Sequence, residues 1–147
     1  MPKSDDPQRG DIWLVNFNSP MSNQQEAVGA PASKLPTTGD EIDKIRPALV
    51  LSIVAKWEVD LRIAVPLRSW KDWFVKNGFF WIVPIQRDGT NRLRKDSGAD
   101  TFQVKSVATQ RFTKRIGNVL PDQLELVATT VAFNIGVPFG HQESRNA

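Results

Sequence analysis

The sequence predicts a mainly β fold with a single C-terminal helix, arranged as a small, strongly bent β-barrel or sandwich. Short runs rich in aliphatic, β-branched and aromatic residues recur along the chain, and turn-forming residues separate them. Only one stretch, near the C-terminus, combines a helical apolar period with helix start and stop signals. Roughly five or six short strands with one terminal helix favour a barrel or sandwich. The length of 147 residues predicts one domain over 1–147.

The first two predicted strands flank a long polar segment. Residues 11–17 (DIWLVNF) are a short apolar, β-favouring run. Residues 47–53 are almost continuously apolar, which predicts a strand covered on both faces. Between them, residues 18–44 are dominated by Ser, Asn, Gln, Gly, Pro and Thr. A loop of this length inside a compact domain is usually functional or disordered.

Shorter elements follow. Strands are predicted at 61–67, 79–85, 99–108 and 116–120, with a short helix or wide turn over 68–78 and one helical turn over 110–114. The folded core is expected to span about residues 8–136, with flexible ends at 1–7 and 138–147.

The closing helix is predicted over residues 121–135. Pro121 suits the first helical turn, and Gly136 ends the pattern. One apolar stripe is expected to face the core: Leu124, Val127, Val131 and Ile135.

Charge is unevenly distributed along the chain, although the net charge is only +3. Residues 1–45 carry four Lys or Arg against seven Asp or Glu. Residues 62–95 carry eight Lys or Arg against two Asp, and residues 103–116 add four cations with no acid. An acidic front and a basic middle indicate a polyanionic partner for the middle. The alternative is an ordinary solvated basic surface.

Several classes of site are excluded by what the sequence lacks. There is no Cys, and the only His is His141, so thiolate chemistry and His-based acid–base or metal sites are not expected. No nucleophile elbow, P-loop or dinucleotide fingerprint is present. We expect no metal and no cofactor. Without a signal peptide or an apolar run of about 20 residues, we expect a soluble, cytoplasmic protein that does not bind membranes.

The remaining chemistry centres on residues 39–52 (GDEIDKIRPALVLS). An acidic cluster precedes Arg46, which stands beside Pro47 at the start of a buried strand. An arginine–carboxylate pair cannot readily activate water without a metal, but it suits a substrate that brings its own nucleophile. RNA does so, because its 2′-OH lies next to the scissile phosphate. A carboxylate can accept that proton while an arginine neutralises the phosphorane or assists the leaving 5′-oxygen.

These residues resemble a known family. RGDIW near the start, the spacing G-x-E-x-x-x-x-R-P that begins RPALVLS, and VPLRS look like the MazF/PemK (Kid) toxins of bacterial toxin–antitoxin pairs. The later run FQVK, then RFTKRIG and the closing helix, is similar to the family's second half. The resemblance covers about residues 8–136.

The resemblance implies an SH3-like barrel and a homodimer that acts as a type II toxin. It further implies metal-independent cleavage of single-stranded RNA to a 2′,3′-cyclic phosphate and a 5′-OH. A cognate antitoxin would neutralise the toxin by placing its tail in the RNA groove, and the toxin–antitoxin complex would bind operator DNA.

The resemblance also suggests roles for individual residues. Arg46 would be the catalytic, phosphate-contacting arginine, and Glu41 would position it or take a proton. Gln103 would line the RNA groove, and segment 18–44 would cover the site. Further candidates for RNA contacts are Lys105, Ser52 and Arg111, whose ordinary interpretations are solvated cations and a strand-end hydroxyl.

Two positions depart from the family pattern. Arg68 stands where the family usually has a catalytic Thr, and Phe102 stands where it has an Asp before the groove Gln. Three outcomes are open at position 68: Ser69 substitutes for the Thr, Arg68 supplies charge stabilisation by another route, or activity is weakened. The catalytic candidates are therefore Arg46, Glu41, Ser69 and Arg68.

Two other functions remain open on the sequence alone. The first is a non-cleaving module that binds RNA or an antitoxin on the same fold, which the Thr-to-Arg68 change favours. The second is a structural or assembly protein that uses the hydrophobic dimer face.

Overall fold

A computed structural model describes residues 6–18, 44–53 and 59–138 of the chain. These ranges contain seven β-strands: β1 (Asp11–Asn16), β2 (Ile45–Val50), β3 (Leu61–Ser69), β4 (Ile82–Ile85), β5 (Ser97–Asp100), β6 (Lys105–Ala108) and β7 (Phe112–Asn118). They also contain two α-helices, α1 (Trp73–Lys76) and α2 (Pro121–Asn134), and two single-turn 3-10 helices, Thr101–Gln103 and Thr109–Arg111. No helix of the described ranges is long and apolar enough to cross a bilayer.

The strands form one antiparallel sheet in the order β4-β5-β3-β2-β1-β7, and β6 joins it by pairing with β3. The path ends at β4 and β7, so the bent sheet is barrel-like without closing. The prediction of a mainly β fold with a C-terminal helix is confirmed.

The long strand β3 organises the sheet. One of its edges pairs with β2 through Ala64–Pro66. Its other edge pairs with β6 through its first four residues and with β5 through Leu67–Ser69. Since a single strand joins three neighbours along its length, the sheet can bend around β3 into two layers.

Two hydrophobic clusters lie on opposite sides of β1 and β2. The larger one joins Ile12 and Leu49 to Leu67 of β3 and to Val127 of α2. The second contains residues that alternate with these along the strands: Trp13, Val15, Ala48 and Val50. Side chains alternate across a strand, so a strand covered on both faces reads as continuously apolar. The prediction that the second strand is covered on both faces is confirmed.

The prediction of one strand over 99–108 is wrong. Ala99 pairs with Leu67, whereas Lys105 pairs with Ala64. Between these two pairs, the segment that faces β3 covers six residues, from Ala99 to Lys105, while β3 itself covers only three. The 3-10 turn Thr101–Gln103 takes up the three extra residues, and two separate strands result.

Other boundaries shift by a few residues. The second strand begins and ends earlier than predicted, at Ile45–Val50; the strand predicted at 116–120 is Phe112–Asn118; and that at 79–85 begins only at Ile82. The short helix within 68–78 is Trp73–Lys76, and the helical turn near 110–114 is Thr109–Arg111.

The closing helix follows its prediction closely. It spans Pro121–Asn134 and is followed by Gly136 at φ +84°, a left-handed conformation that glycine adopts without strain. Leu124 and Val127 are buried, and Val131 packs against the same core. Ile135 is 72% exposed, so its assignment to the stripe is wrong, because the helix ends one residue before it. The predicted loop 18–44 and the predicted flexible ends fall largely outside the described residues.

Candidate functional site

A cleft of about 630 Å³ opens where β2 and β3 separate. Their ladder ends at the pair Ala48–Pro66. Pro66 belongs to this last pair, and Pro47 precedes Ala48 on β2. Neither proline has an amide hydrogen that could extend the ladder. The cleft is lined by Leu14, Ile45, Arg46, Pro47, Leu67, Arg68, Ser69, Arg92, Leu93, Arg94, Lys95, Ser97, Lys114, Arg115 and Ile116.

The cleft is strongly cationic. Seven of these fifteen described lining residues are Arg or Lys, and none of the fifteen is acidic. Aliphatic residues and Pro47 line much of the rest. A concave surface with charges of one sign and an apolar floor concentrates a positive potential and attracts anions.

Arg46 lies at the mouth of the cleft near the start of β2. It pairs with Val15 of β1, and the β2–β3 register, continued two residues past the last pair, sets it opposite Arg68. Its Nε is buried and has no hydrogen-bond acceptor among the described residues. A buried donor left unsatisfied costs about 1–3 kcal/mol.

Arg68 is held by two contacts on the side of β5 and α1. Its Nη1 donates a hydrogen bond to Oδ2 of Asp100 at 3.3 Å. Its guanidinium carbon lies 5.5 Å from the centroid of the Phe74 ring, a cation–π distance. The Arg68 side chain remains 42% exposed. Ser69, the next residue, lies in the same cleft at the end of β3.

A loop of residues 86–96, here called the basic loop, forms one wall. Its centre is Asn91, which is buried; Asn91 Oδ1 accepts hydrogen bonds from the amides of Asp88 and Leu93 at 3.0 Å. The Oδ1 of Asp88 in turn accepts from the amides of Thr90 and Asn91. Arg92 adopts φ +55°, which turns the chain within this network.

The basic loop is also fixed against β7. A Cβ at Gly117 would lie 2.6 Å from the carbonyl oxygens of Thr90 and Asn91, so only glycine admits this approach. The amide of Asn118 donates to the Thr90 carbonyl at 3.2 Å. The three cations that the loop presents to the cleft, Arg92, Arg94 and Lys95, are therefore carried on a braced backbone.

Strand β7 contributes Lys114 and Arg115 to the lining of the cleft. Arg115 Nη2 lies 3.3 Å from Asp11 Oδ1 and 3.3 Å from Asn118 Oδ1. The Asp11 carboxylate also accepts from Trp13 Nε1 at 3.1 Å.

The structure brings three of the predicted site residues together: Arg46, Arg68 and Ser69 line one cleft. Glu41 lies outside the described residues. The four predicted RNA-contacting residues lie outside the lining of this cleft: Gln103, Lys105, Ser52 and Arg111.

Those four residues have identifiable surroundings. Lys105 Nζ lies 5.3 Å from the centroid of Phe17, and Gln103 is in the 3-10 turn before β6. Ser52 Oγ accepts from the Ile63 amide at 3.0 Å. Arg111 Nη1 donates to the Asn16 and Asn18 carbonyls at 3.0 and 2.6 Å, at the end of β1. Their RNA contacts stay predictions.

Five cleft cations are absent from the predicted site residues: Arg92, Arg94, Lys95, Lys114 and Arg115. The sequence suggests phosphate contacts only for the last two, with a solvated surface as the alternative. The signal for all five was the charge excess of the basic middle. Counting charge along the chain cannot tell which cations share a surface, because these come from a loop and a strand about 20 residues apart. Within the described ranges, no three His, Asp or Glu residues are arranged to hold a metal ion.

A second surface is apolar. We call it the aromatic face: Phe80, Trp81, Phe102 and Phe133. The Phe80 ring lies 5.7 Å from Phe133 and 5.5 Å from Trp81, which lies 5.5 Å from Phe102. The three phenylalanines are 57–61% exposed. Exposed aromatic groups of this kind mark surfaces that associate with a partner.

The sequence matches the family profile described as PemK-like, MazF-like toxin of type II toxin–antitoxin systems, over residues 30–135. The chain belongs to this family. The matched region includes every lining residue of the cleft except Leu14.

Solved structures show the same fold. MazF from Deinococcus radiodurans aligns with a TM-score of 0.63 and 21% identity, covering 89% of this chain and 97% of that one. An endoribonuclease from a mycobacterial species aligns at 0.57 and 13%, covering 92% and 97%. A MazE–MazF complex from Deinococcus radiodurans aligns at 0.58 and 18%, covering 91% and 99%. No curated protein matches the sequence.

Proposed function

We propose that this protein is the toxin of a type II toxin–antitoxin pair that cleaves single-stranded RNA without a metal, leaving a 2′,3′-cyclic phosphate and a 5′-OH. Membership of the PemK/MazF-like family supports an endoribonuclease of this general kind. The observation that carries the proposal is the cationic cleft, in which Arg46 is one of seven cations over an apolar floor.

The proposed reaction uses the nucleophile that RNA supplies. The 2′-oxygen attacks the adjacent phosphorus and forms the cyclic phosphate, while the bond from phosphorus to the 5′-oxygen breaks. The 2′-OH proton passes to a carboxylate, for which we propose Glu41, and the leaving 5′-oxygen takes a proton from solvent water. Arg46, which lines the cleft, neutralises the extra charge of the phosphorane through its guanidinium. Ser69 lines the same cleft as Arg68 and is proposed as a further contact to this phosphate.

The rest of the cleft would bind the flanking nucleotides. Single-stranded RNA carries one negative charge per nucleotide, and the seven lining cations match a backbone that passes through the cleft. Gln103, Lys105, Ser52 and Arg111 would contact RNA only beyond the cleft, if the strand continues around the sheet.

An antitoxin and a second toxin copy are the proposed protein partners. A cationic cleft fits the acidic tail of a cognate antitoxin, and one structural relative is a MazE–MazF complex. Operator DNA would be bound by the toxin–antitoxin complex in the cytoplasm. We assign the homodimer contact to the aromatic face, since an exposed aromatic cluster fits an interface core.

One observation favours a second candidate, a module that binds RNA or the antitoxin without cutting. Arg68 replaces the Thr of the family pattern, and its guanidinium is engaged with Asp100. This candidate predicts salt-sensitive RNA binding with the RNA intact after long incubation. It also predicts that Arg68→Thr creates cleavage where the unmodified protein has none.

The test is incubation of the purified protein with a defined single-stranded RNA in EDTA, followed by analysis of the RNA ends. We expect cleavage with 2′,3′-cyclic phosphate and 5′-OH ends. Cleavage that requires added divalent metal, or products with 3′-OH ends, would overturn the proposal. Tight binding without cleavage would select the second candidate.

A further inference from the structure

The mouth of the cleft carries a second arginine whose side chain is held in place. Arg68 lines the same cleft as Arg46 and lies two residues past the last β2–β3 pair on β3. Arg68 also pairs with Gly98 of β5, so its backbone belongs to the ladder at the end of β3. Two arginines at such a mouth can contact neighbouring oxygens of one phosphate or two successive phosphates.

Asp100 is the group that fixes the direction of this guanidinium. The Asp100 residue is only 4% exposed, and its Oδ2 accepts from Arg68 Nη1 at 3.3 Å. Phe74, buried at 1% exposure, provides a flat surface 5.5 Å from the guanidinium carbon. A carboxylate on one side and a ring on another restrict a long side chain that would otherwise sample many rotamers.

The Arg68 guanidinium has further hydrogen-bond donors. Arginine has five N–H groups, and within the described residues the hydrogen bond to Asp100 engages Nη1. The Arg68 side chain is 42% exposed and is part of the cleft lining, so N–H groups other than the one bonded to Asp100 can serve a ligand. An arginine that is restrained yet open loses less entropy when it binds a phosphate than a free one.

We infer that Asp100 is a positioning residue that holds Arg68 as a second phosphate-binding cation beside Arg46. The inference rests on the proposed RNA substrate and gives Arg68 a specific role, because its charge, which a Thr at this position would lack, is used to bind substrate. Asp100 itself does not contact RNA.

The direction in which Asp100→Asn changes RNA affinity distinguishes this inference from a general effect of charge. Asp100→Asn removes a negative charge next to a cationic cleft, so the field alone would tighten the binding of a polyanion. If Asp100 acts through Arg68, the same change weakens binding instead. The probe is single-stranded 2′-fluoro RNA, which has no 2′-OH and cannot be cleaved, with Kd measured over a salt series.

We expect Arg68→Ala to raise the Kd about tenfold, the size of a lost charge-assisted hydrogen bond. We expect Asp100→Asn to raise it about threefold to fivefold, within the range of a partly exposed ion pair. In the Arg68→Ala background, Asp100→Asn should cause no further loss. Tighter or unchanged binding by Asp100→Asn, or an equal loss in both backgrounds, would overturn the inference.

A second variant keeps the test decisive if Asp100→Asn does not melt cooperatively. Arg68→Lys keeps the charge but replaces the planar fork with a single ammonium. We expect a Kd about threefold higher, since the ammonium is a point charge that lacks the planar fork with which a guanidinium donates two parallel hydrogen bonds to a phosphate. Unchanged affinity would mean that net charge alone counts, and the inference would fall.

The inference and the proposed function fail separately. If the unmodified protein binds 2′-fluoro RNA with the expected variant pattern but never cleaves ordinary RNA, the nuclease proposal falls and the role of Asp100 stands. If the protein cleaves RNA but Asp100→Asn tightens RNA binding, as the loss of a negative charge alone would, then only the role of Asp100 is refuted.

Discussion

The cationic cleft draws seven positive side chains from four segments of the chain, whereas the aromatic face draws its rings from three. The rings of the aromatic face contact one another and still expose more than half of each phenylalanine. The cations of the cleft repel one another, and two of them are held by aspartates at 3.3 Å outside its lining. The two surfaces therefore fit the two proposed roles: the cationic cleft for RNA and the aromatic face for the second toxin copy.

The largest expected effect is the loss of cleavage in Arg46→Ala. We expect kcat to fall at least about 100-fold, as when one donor to a developing oxyanion is removed. RNA cleavage in EDTA measures it, with thermal melting to show that the fold persists. Lys76→Ala is the matched control, because Lys76 is exposed on α1 away from the cleft lining. Full activity in Arg46→Ala would contradict the proposed mechanism.

The next effect concerns the aromatic face. Replacing Phe80 and Phe133 together with Ser should weaken self-association about 30-fold or more, because two central aromatic contacts are lost. Sedimentation equilibrium gives the dimer dissociation constant. Val75→Ser serves as control, since Val75 is 72% exposed on α1 and is not part of the aromatic face. An unchanged dissociation constant would show that the dimer contact does not involve the aromatic face.

A smaller effect should follow from the wall of the cleft. Replacing Arg94 and Lys95 with Ala should lower RNA affinity about tenfold at moderate salt and reduce the slope of log Kd against log salt by about 1.4. The matched variant replaces Lys71 and Lys76, two exposed cations outside the lining, and should leave the slope nearly unchanged. Equal slopes for both double variants would mean that the basic loop is ordinary solvated surface.

The smallest effect tests the bracing of the basic loop. Gly117→Ala places a Cβ 2.6 Å from two carbonyl oxygens and should lower the free energy of unfolding by about 1 kcal/mol, with a weaker RNA affinity. Urea denaturation measures the first and a binding titration the second. At Gly89, a Cβ would meet nothing within 4 Å, so Gly89→Ala should be near neutral. Equal stability of the two variants would show that the loop moves freely against β7.

Local pattern predicts much of this fold. The predicted closing helix is correct to within one residue, since Pro121 and Gly136 mark its ends, and the buried strand at Pro47 is evident from its aliphatic run. The split of 99–108 into two strands is not predictable, because it depends on the register of each half against β3. Register is a property of paired strands and leaves little trace in one of them.

The candidate site is likewise predicted only where a local motif marks its residues. Arg46, Arg68 and Ser69 stand in two recognisable motifs, and the cleft contains all three. The contact between Arg68 and Asp100 joins residues 32 apart, and the basic loop meets the cleft through its packing on Gly117. Such juxtapositions come from tertiary structure alone.

The contrast between the two surfaces is tested most directly by mapping where RNA binds. An NMR titration of the labelled protein with single-stranded 2′-fluoro RNA would report shift changes residue by residue. We predict the largest changes at Arg46, Arg68, the basic loop and Lys114–Arg115, with little change at Phe80 and Phe133. The opposite pattern, with changes centred on the aromatic face and a silent cleft, would contradict the assignment of RNA to the cationic cleft.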